Sequence, residues 1–167
     1  MKIHCIIPGR LYQRGEFDKC PPHEVISEFS SLGINIVVGL AGKRGKVPSW
    51  VNYFYNKIPD GLIHDETFLS SLADEVFRFS VERRGAILSH CHAGRNRSGL
   101  MSAMLVMRIL GVSGEESIEL VRRGRPKSLA NEEFVKFLLR QKKVIREIEN
   151  WTAEPIKAKT QCDIFNL

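Results

Sequence analysis

Polar and apolar positions along the chain follow two periods. Short apolar or alternating runs predict strands at residues 3–7 and 10–12, around a Pro8-Gly9 turn, and at 53–58 and 86–89. The β-branched run 34–40 predicts a central, buried strand. Helical spacing opens at Pro21-Pro22, places Val25, Ile26, Phe29 and Leu32 inward and stops at Gly33. A second helix starts at about Thr67, with Phe68, Leu69, Leu72, Val76 and Phe79 inward and Gly85 as its stop. The run 97–110 is apolar on nearly every face, which assigns it to the middle of the core. Ser113-Gly114-Glu115-Glu116 reads as a capping box for a helix through Val121, ended by Gly124. Asn131, followed by Glu132 and Glu133, caps the last long helix, whose inward face reads Phe134, Phe137, Leu138, Gln141, Ile145 and Ile148.

This order of elements predicts an α/β fold, a mixed central sheet flanked by helices on both faces. Residues 1–150 form one domain. From Trp151 the periodicity fades and Pro155 breaks any helix, so 151–167 is expected to be a tail, loosely ordered or packed back through Trp151, Ile164 and Phe165. There are no internal repeats.

Composition adds little to this until charge is considered. Of 167 residues, 43% are hydrophobic and 26% charged, ordinary for a globular domain. No run is long enough for a membrane span, and the apolar start is too short for a signal peptide, so a cytoplasmic location is expected. Cys5, Cys20, Cys91 and Cys162 show neither CxxC pairs nor zinc-ligand spacing, so no metal site, cofactor or disulfide framework is expected. The net charge of +6 favours anionic partners. Lysine and arginine cluster at Lys43-Arg44-Gly45-Lys46 and at Arg122-Arg123-Gly124-Arg125-Pro126-Lys127. No basic run is interleaved with aromatics, which leaves nucleic acid weakly supported. The glycine-rich loop 41–48 follows the strand 34–40, so it is placed to overhang a cleft at the strands' carboxyl ends.

The chemistry concentrates in His90-Cys91-His92-Ala93-Gly94-Arg95-Asn96-Arg97-Ser98-Gly99. A strand, a turn and a helix meet there, so the loop ends at a helix N-terminus, where unpaired N–H groups and the macrodipole bind phosphate-like anions. The same field favours a Cys91 thiolate. Arg97 offers a planar fork for two phosphate oxygens, and the Ser98 hydroxyl can bond the sulfur and ease its departure.

His90-Cys91, Gly94, Arg97 and Ser98 match the signature of the cysteine-based protein tyrosine phosphatases, and the chain resembles their small dual-specificity branch over about residues 7–139. The opening Ile7-Pro8-Gly9-Arg10-Leu11-Tyr12 is also similar to the start of such domains. The resemblance implies a cysteine-dependent phosphatase that hydrolyses phosphate monoesters, phosphotyrosine and phosphoserine or phosphothreonine in proteins, through a phosphocysteine intermediate. It implies Cys91 as nucleophile, Arg97 as clamp, Ser98 as an aid to thiolate release, and the N–H groups of residues 92–97 as the phosphate loop. His90 is implied to order that loop, and Asn131 falls where these enzymes carry an asparagine.

Asp60, on the loop between a strand and a helix, matches the family's general acid. Asp65 on the same loop is its rival, with capping of the following helix as its other explanation. His92 and Arg95 resemble the basic residues of phosphoinositide-directed members, and Asn96 resembles RNA 5′-triphosphatase members. The alternatives are therefore the same chemistry on a phosphoinositide or an RNA 5′ end, or a non-catalytic phosphate-binding module. Low-molecular-weight tyrosine phosphatases and arsenate reductases carry the motif near the N-terminus, unlike this chain.

Overall fold

Side-chain alternation builds the sheet. In β2 (Leu11–Arg14), β3 (Ile34–Gly39) and β5 (Ala86–His90), neighbouring residues fall on opposite faces, and both faces are buried. With β1 (His4–Ile7) and β4 (Asn52–Tyr55) they form one five-stranded sheet in the order β1-β2-β5-β3-β4. Only the β1–β2 pair is antiparallel. The computed structural model describes residues 2–143; the predicted tail, Ile145 and Ile148 lie outside them.

On one face Tyr12, Val37 and Leu88 pack under Val25, Phe29 and Leu32 of α1 (Pro22–Leu32). On the other, Leu11, Ile36, Val38 and Ile87 meet α2 (Glu66–Arg83), α3 (Arg97–Leu110), α4 (Gly114–Gly124) and α5 (Glu132–Arg140). This is the expected mixed sheet with helices on both faces. As anticipated, α3 is the central helix, and every residue from Ser98 to Ile109 is buried. No described helix is long and apolar enough to cross a membrane.

Several local expectations need correction. The β3–β4 ladder stops at Tyr55, although Asn56 and Ile58 still donate backbone bonds to Gly39 and Leu40. Ile26 and Phe68 are exposed, not inward, because each lies at the edge of its helix's apolar stripe. Arg84, not Gly85, takes the left-handed cap of α2; Gly85 is needed because a Cβ there would fall 1.5 Å from the Asn35 side chain. Helix α4 includes Gly124, where a Cβ would fall 2.3 Å from the Cys5 carbonyl of β1. Helix α5 ends at Arg140, so Gln141 is its cap. Cys5 is disulfide-bonded, against the expectation of no disulfide; spacing along a chain carries no information about a pairing made by the fold.

Because β3, β4 and β5 run parallel, the segments that follow them emerge at one edge of the sheet. Those segments carry Lys43 to Lys46, Asp60 and Cys91.

Candidate active site

Cys91 follows the last residue of β5 and is buried. Its Sγ lies 3.3 Å from Ser98 Oγ, in the first turn of α3. The loop between them is held from outside. The His92 carbonyl accepts from the Glu16 N–H at 3.0 Å, and the Arg95 carbonyl accepts from the Leu129 N–H at 3.3 Å. Arg125 Nη2 donates to the Ala93 carbonyl at 3.0 Å, while Arg125 Nε and Gln13 Nε2 both donate to the Gly94 carbonyl. A trans peptide sets each N–H opposite the preceding C=O. Four successive carbonyls tied outward therefore turn the N–H groups of Ala93, Gly94, Arg95 and Asn96 toward the inside of the loop. Asn96, the N-cap of α3, makes no side-chain cap bond; its Oδ1 accepts instead from the Ala130 N–H at 2.9 Å. The helix's first amides thus stay open to an anion.

Gly94 makes the turn possible. Its φ is +67°, and a Cβ would fall 2.3 Å from the backbone of Arg14 and Gly15.

Arg97 bridges this loop to the one after β4. Its Nη2 lies 3.6 Å from Asp60 Oδ2, and its Nη1 donates to the Ile58 carbonyl at 3.5 Å. Asn131 Nδ2 holds the neighbouring Gly61 carbonyl at 3.2 Å, while its Oδ1 caps α5 through the Glu133 N–H. The structure therefore brings Cys91, Ser98, Arg97, Asp60 and Asn131 into one connected set. Asp65 is occupied elsewhere: it caps α2, accepting from the Phe68 N–H at 2.7 Å. A separate hollow of about 190 Å³ lies along the segment 57–65 against Phe68, Leu69 and Phe134, and none of residues 90–99 lines it.

A family model described as the dual specificity phosphatase catalytic domain matches residues 23–144. The chain belongs to this family. Among curated relatives, it is 36% identical over 76 residues to a probable dual specificity protein phosphatase of Dictyostelium discoideum. That match covers 44% of this chain and 19% of the relative. It is 28% identical over 102 residues to dual specificity protein phosphatase 1B of Arabidopsis thaliana, covering 59% of this chain and 61% of that one. The matched segment thus spans less than two thirds of either relative. Among solved structures, human DUSP28 aligns with a TM-score of 0.69 at 20% identity, covering 83% of this chain and 92% of that one. The active form of Tk-PTP aligns with a TM-score of 0.59 at 25% identity, covering 81% and 92%.

Within this dual-specificity domain, the residues that surround His90 went unnoticed in the sequence. His90 is buried beside Arg14 of the adjacent strand, and burial together with that charge pushes its imidazole down to about 4. Burial pushes the Tyr53 hydroxyl up to about 12, so at neutral pH both groups are uncharged. The phenol oxygen hydrogen-bonds His90 Nε2 and accepts from the Gly45 N–H at 3.3 Å. A Cβ on Gly39 would fall 2.7 Å from the same Nε2, so glycine leaves room for the imidazole. Arg14 itself is paired with Glu28 of α1 at 3.0 Å.

Two residues expected to add positive charge to the loop are otherwise engaged. His92 Nδ1 is 2.8 Å from a Glu16 carboxylate oxygen, and Arg95 Nε donates to the Lys127 carbonyl. Of the thiols, Cys20 and Cys91 are free, and Arg14 Nη2 lies 3.4 Å from Cys20 Sγ.

The two contacts of Asn131 make separable predictions. Asn131→Ala loses both and should cost about 1 kcal/mol in thermal or urea unfolding. Asn131→Asp keeps the cap acceptor but loses the donor to Gly61, so stability should hold. Both variants should lower kcat/KM roughly tenfold or more by loosening the Asp60 segment.

Proposed function

We propose that this chain is an active phosphatase that hydrolyses phosphate monoesters in proteins, phosphotyrosine and phosphoserine or phosphothreonine alike, through a phosphocysteine intermediate. The observation that carries the reading is the loop around Cys91, whose outward-tied carbonyls aim four N–H groups at the space above a buried, free thiol. A pure binding module has no need of a nucleophile at the base of its anion site, nor of a carboxyl group beside its arginine.

The Cys91 thiolate attacks phosphorus in line as the bond to the ester oxygen breaks, and the electron pair leaves on that oxygen, which takes a proton from Asp60. The loop amides and Arg97 hold the equatorial oxygens, where preorganised donors stabilise developing charge. Water then attacks the phosphocysteine, its proton passing to Asp60, and the sulfur departs as thiolate with the Ser98 hydroxyl bonded to it. Two displacements replace one harder one. His90, held by Tyr53, keeps the start of the loop in place.

The phosphoinositide and RNA readings rested on His92, Arg95 and Asn96. Each of these side chains has a bonding partner within the fold, which leaves protein phosphate monoesters as the reading preferred here.

The test is phosphate release with EDTA present, from an aryl phosphate and from phosphotyrosyl and phosphoseryl peptides. Turnover of the aryl ester is expected without added metal, and a well-folded protein inactive on all three would overturn the proposal. Asp60→Asn should slow substrates with poor leaving groups by about 10² to 10³, and good leaving groups by much less. Equal slowing of both would remove Asp60 from the acid's role.

A further inference from the structure

The four carbonyls that shape the phosphate loop are held from outside in two ways. Those of His92 and Arg95 accept from the backbone N–H groups of Glu16 and Leu129, bonds that no change of pH alters. Glu16 is itself fastened, its carboxylate taking the Lys43 N–H at 3.2 Å and His92 Nδ1. Those of Ala93 and Gly94 depend instead on one guanidinium, that of Arg125 at the end of α4, with Gln13 Nε2 as a second donor to Gly94.

Arg125 reaches these carbonyls as the middle of a relay. Its Nη2 and Nε serve the loop, and its remaining nitrogen, Nη1, bonds His4 Nε2 of β1. All three guanidinium nitrogens are thus engaged, two by the loop that has to be shaped and one by a side chain outside it. Arginine can only donate, so His4 Nε2 carries the lone pair and the ring proton sits on Nδ1. His4 is anchored in turn. It stands opposite Gln13 in the β1–β2 ladder, and its neighbour Cys5 lies against the end of α4, where a Cβ on Gly124 would fall 2.3 Å from the Cys5 carbonyl. Directly opposed residues share a face of the sheet. Gln13 therefore acts on the Gly94 carbonyl directly, and His4 acts on it from beside Gln13, through Arg125.

We propose that His4 is a positioning residue for catalysis, whose neutral imidazole aims Arg125 at the Ala93 and Gly94 carbonyls and whose protonation releases them. The proposal rests on the reading of the Cys91 loop as a phosphate site and deepens it. Protonation removes the lone pair and sets an imidazolium against a guanidinium. The charged groups facing the ring are Arg125 from the end of α4 and Lys2 from its own segment, both cationic, while its partner on β2, Gln13, is neutral. Burial, and then these two cations, hold the imidazole below the usual histidine value, outweighing its hydrogen bond to the Gly124 carbonyl. Arg125 is therefore aimed at neutral pH, and its aim is lost as the pH falls.

The test compares His4→Gln, His4→Ala and Arg125→Ala with the wild type in kcat/KM on an aryl phosphate, between about pH 5 and pH 8, with melting curves to confirm folding. Glutamine offers an acceptor oxygen at every pH. His4→Gln should match the wild type within about threefold at the upper end, and the ratio of the two should rise at least about twofold toward the lower end. Titrations of Cys91, Asp60 and the substrate are common to both proteins and cancel in that ratio. At the upper end His4→Ala should lose about fivefold to tenfold. In the Arg125→Ala background it should lose nothing further, as a residue acting only through another must. Sulfate, which does not titrate in this range, gives a readout without turnover: its stabilisation of the Cys91→Ser protein should weaken less at low pH once His4→Gln is added. A ratio that stays flat with pH, or equal losses from His4→Ala with and without Arg125, would overturn the proposal; should His4→Gln not fold, the Arg125 comparison decides alone. An inactive wild type whose sulfate binding depends on His4 in the same way would instead sink only the catalytic reading.

Discussion

Cys91→Ser is expected to abolish phosphate release while leaving the fold and the anion site intact. The substituted side chain is buried against Ser98 Oγ, in a loop whose carbonyls are tied by Glu16, Gln13, Arg125 and Leu129 and not by the thiol. Serine is smaller than cysteine and polar, so it fits the same space and can bond Ser98 in place of the sulfur. Its hydroxyl is un-ionised near neutral pH, and no described histidine or carboxylate bonds to Cys91 Sγ that could act as its base. An alcohol without a base is a poor nucleophile, so the loss should exceed about 10⁴ in kcat, beyond what positioning groups alone contribute. Binding should survive, since the donors and Arg97 remain, and an oxyanion such as tungstate should raise the melting temperature of both proteins. Residual turnover at a tenth of the wild-type rate would mean that another group carries the nucleophile's role.

The confidence with which Cys91 can be singled out comes from a local property. Residues 90–99 are contiguous, so strand, turn and helix signals and the functional side chains occur in one window. The same holds for the two faces of the sheet, where Tyr12, Val37 and Leu88 oppose Leu11, Ile36 and Ile87 by simple alternation. What supports the loop was not legible, because it arrives from far along the chain. Arg125 lies 31 residues from Gly94, Tyr53 37 from His90, and Gln13 81 from Gly94. Each looked ordinary in its own neighbourhood, Arg125 a member of a basic cluster, Tyr53 a strand residue and Gln13 a residue just past a predicted strand. The basic segment 41–48 could be placed near a cleft, but its fastening to Glu16 depends on a close approach that Gly42 permits, since a Cβ there would fall 1.5 Å from the carboxylate. Gly85 misled for a related reason. A glycine after a helix suggests a left-handed cap, yet here its value lies in the room it leaves for Asn35, and Arg84 adopts the φ of 49° instead.

Gly94→Ala should be nearly as damaging to catalysis as loss of the nucleophile, without touching a reacting atom. Two costs coincide at this position. A left-handed φ of +67° penalises any Cβ by about 1 to 2 kcal/mol. The added methyl would also fall 2.3 Å from the Arg14 carbonyl carbon and the Gly15 nitrogen, and backbone, unlike the end of a flexible side chain, cannot rotate aside. Arg14 is fixed by β2–β5 pairing and by Glu28, so the phosphate loop must yield. Once it shifts, the Gly94 carbonyl loses Gln13 and Arg125, and the N–H groups on both sides of it no longer converge. A single oxyanion donor contributes about 10² to 10³ in rate, so misplacing several should lower kcat/KM by more than about 10³. The distinguishing readout is ligand-dependent stability. The variant should melt only modestly below the wild type, yet gain nothing from tungstate at concentrations that stabilise both the wild type and Cys91→Ser. An alanine variant that kept both activity and oxyanion stabilisation would mean that the tied carbonyls are not what shapes the anion site.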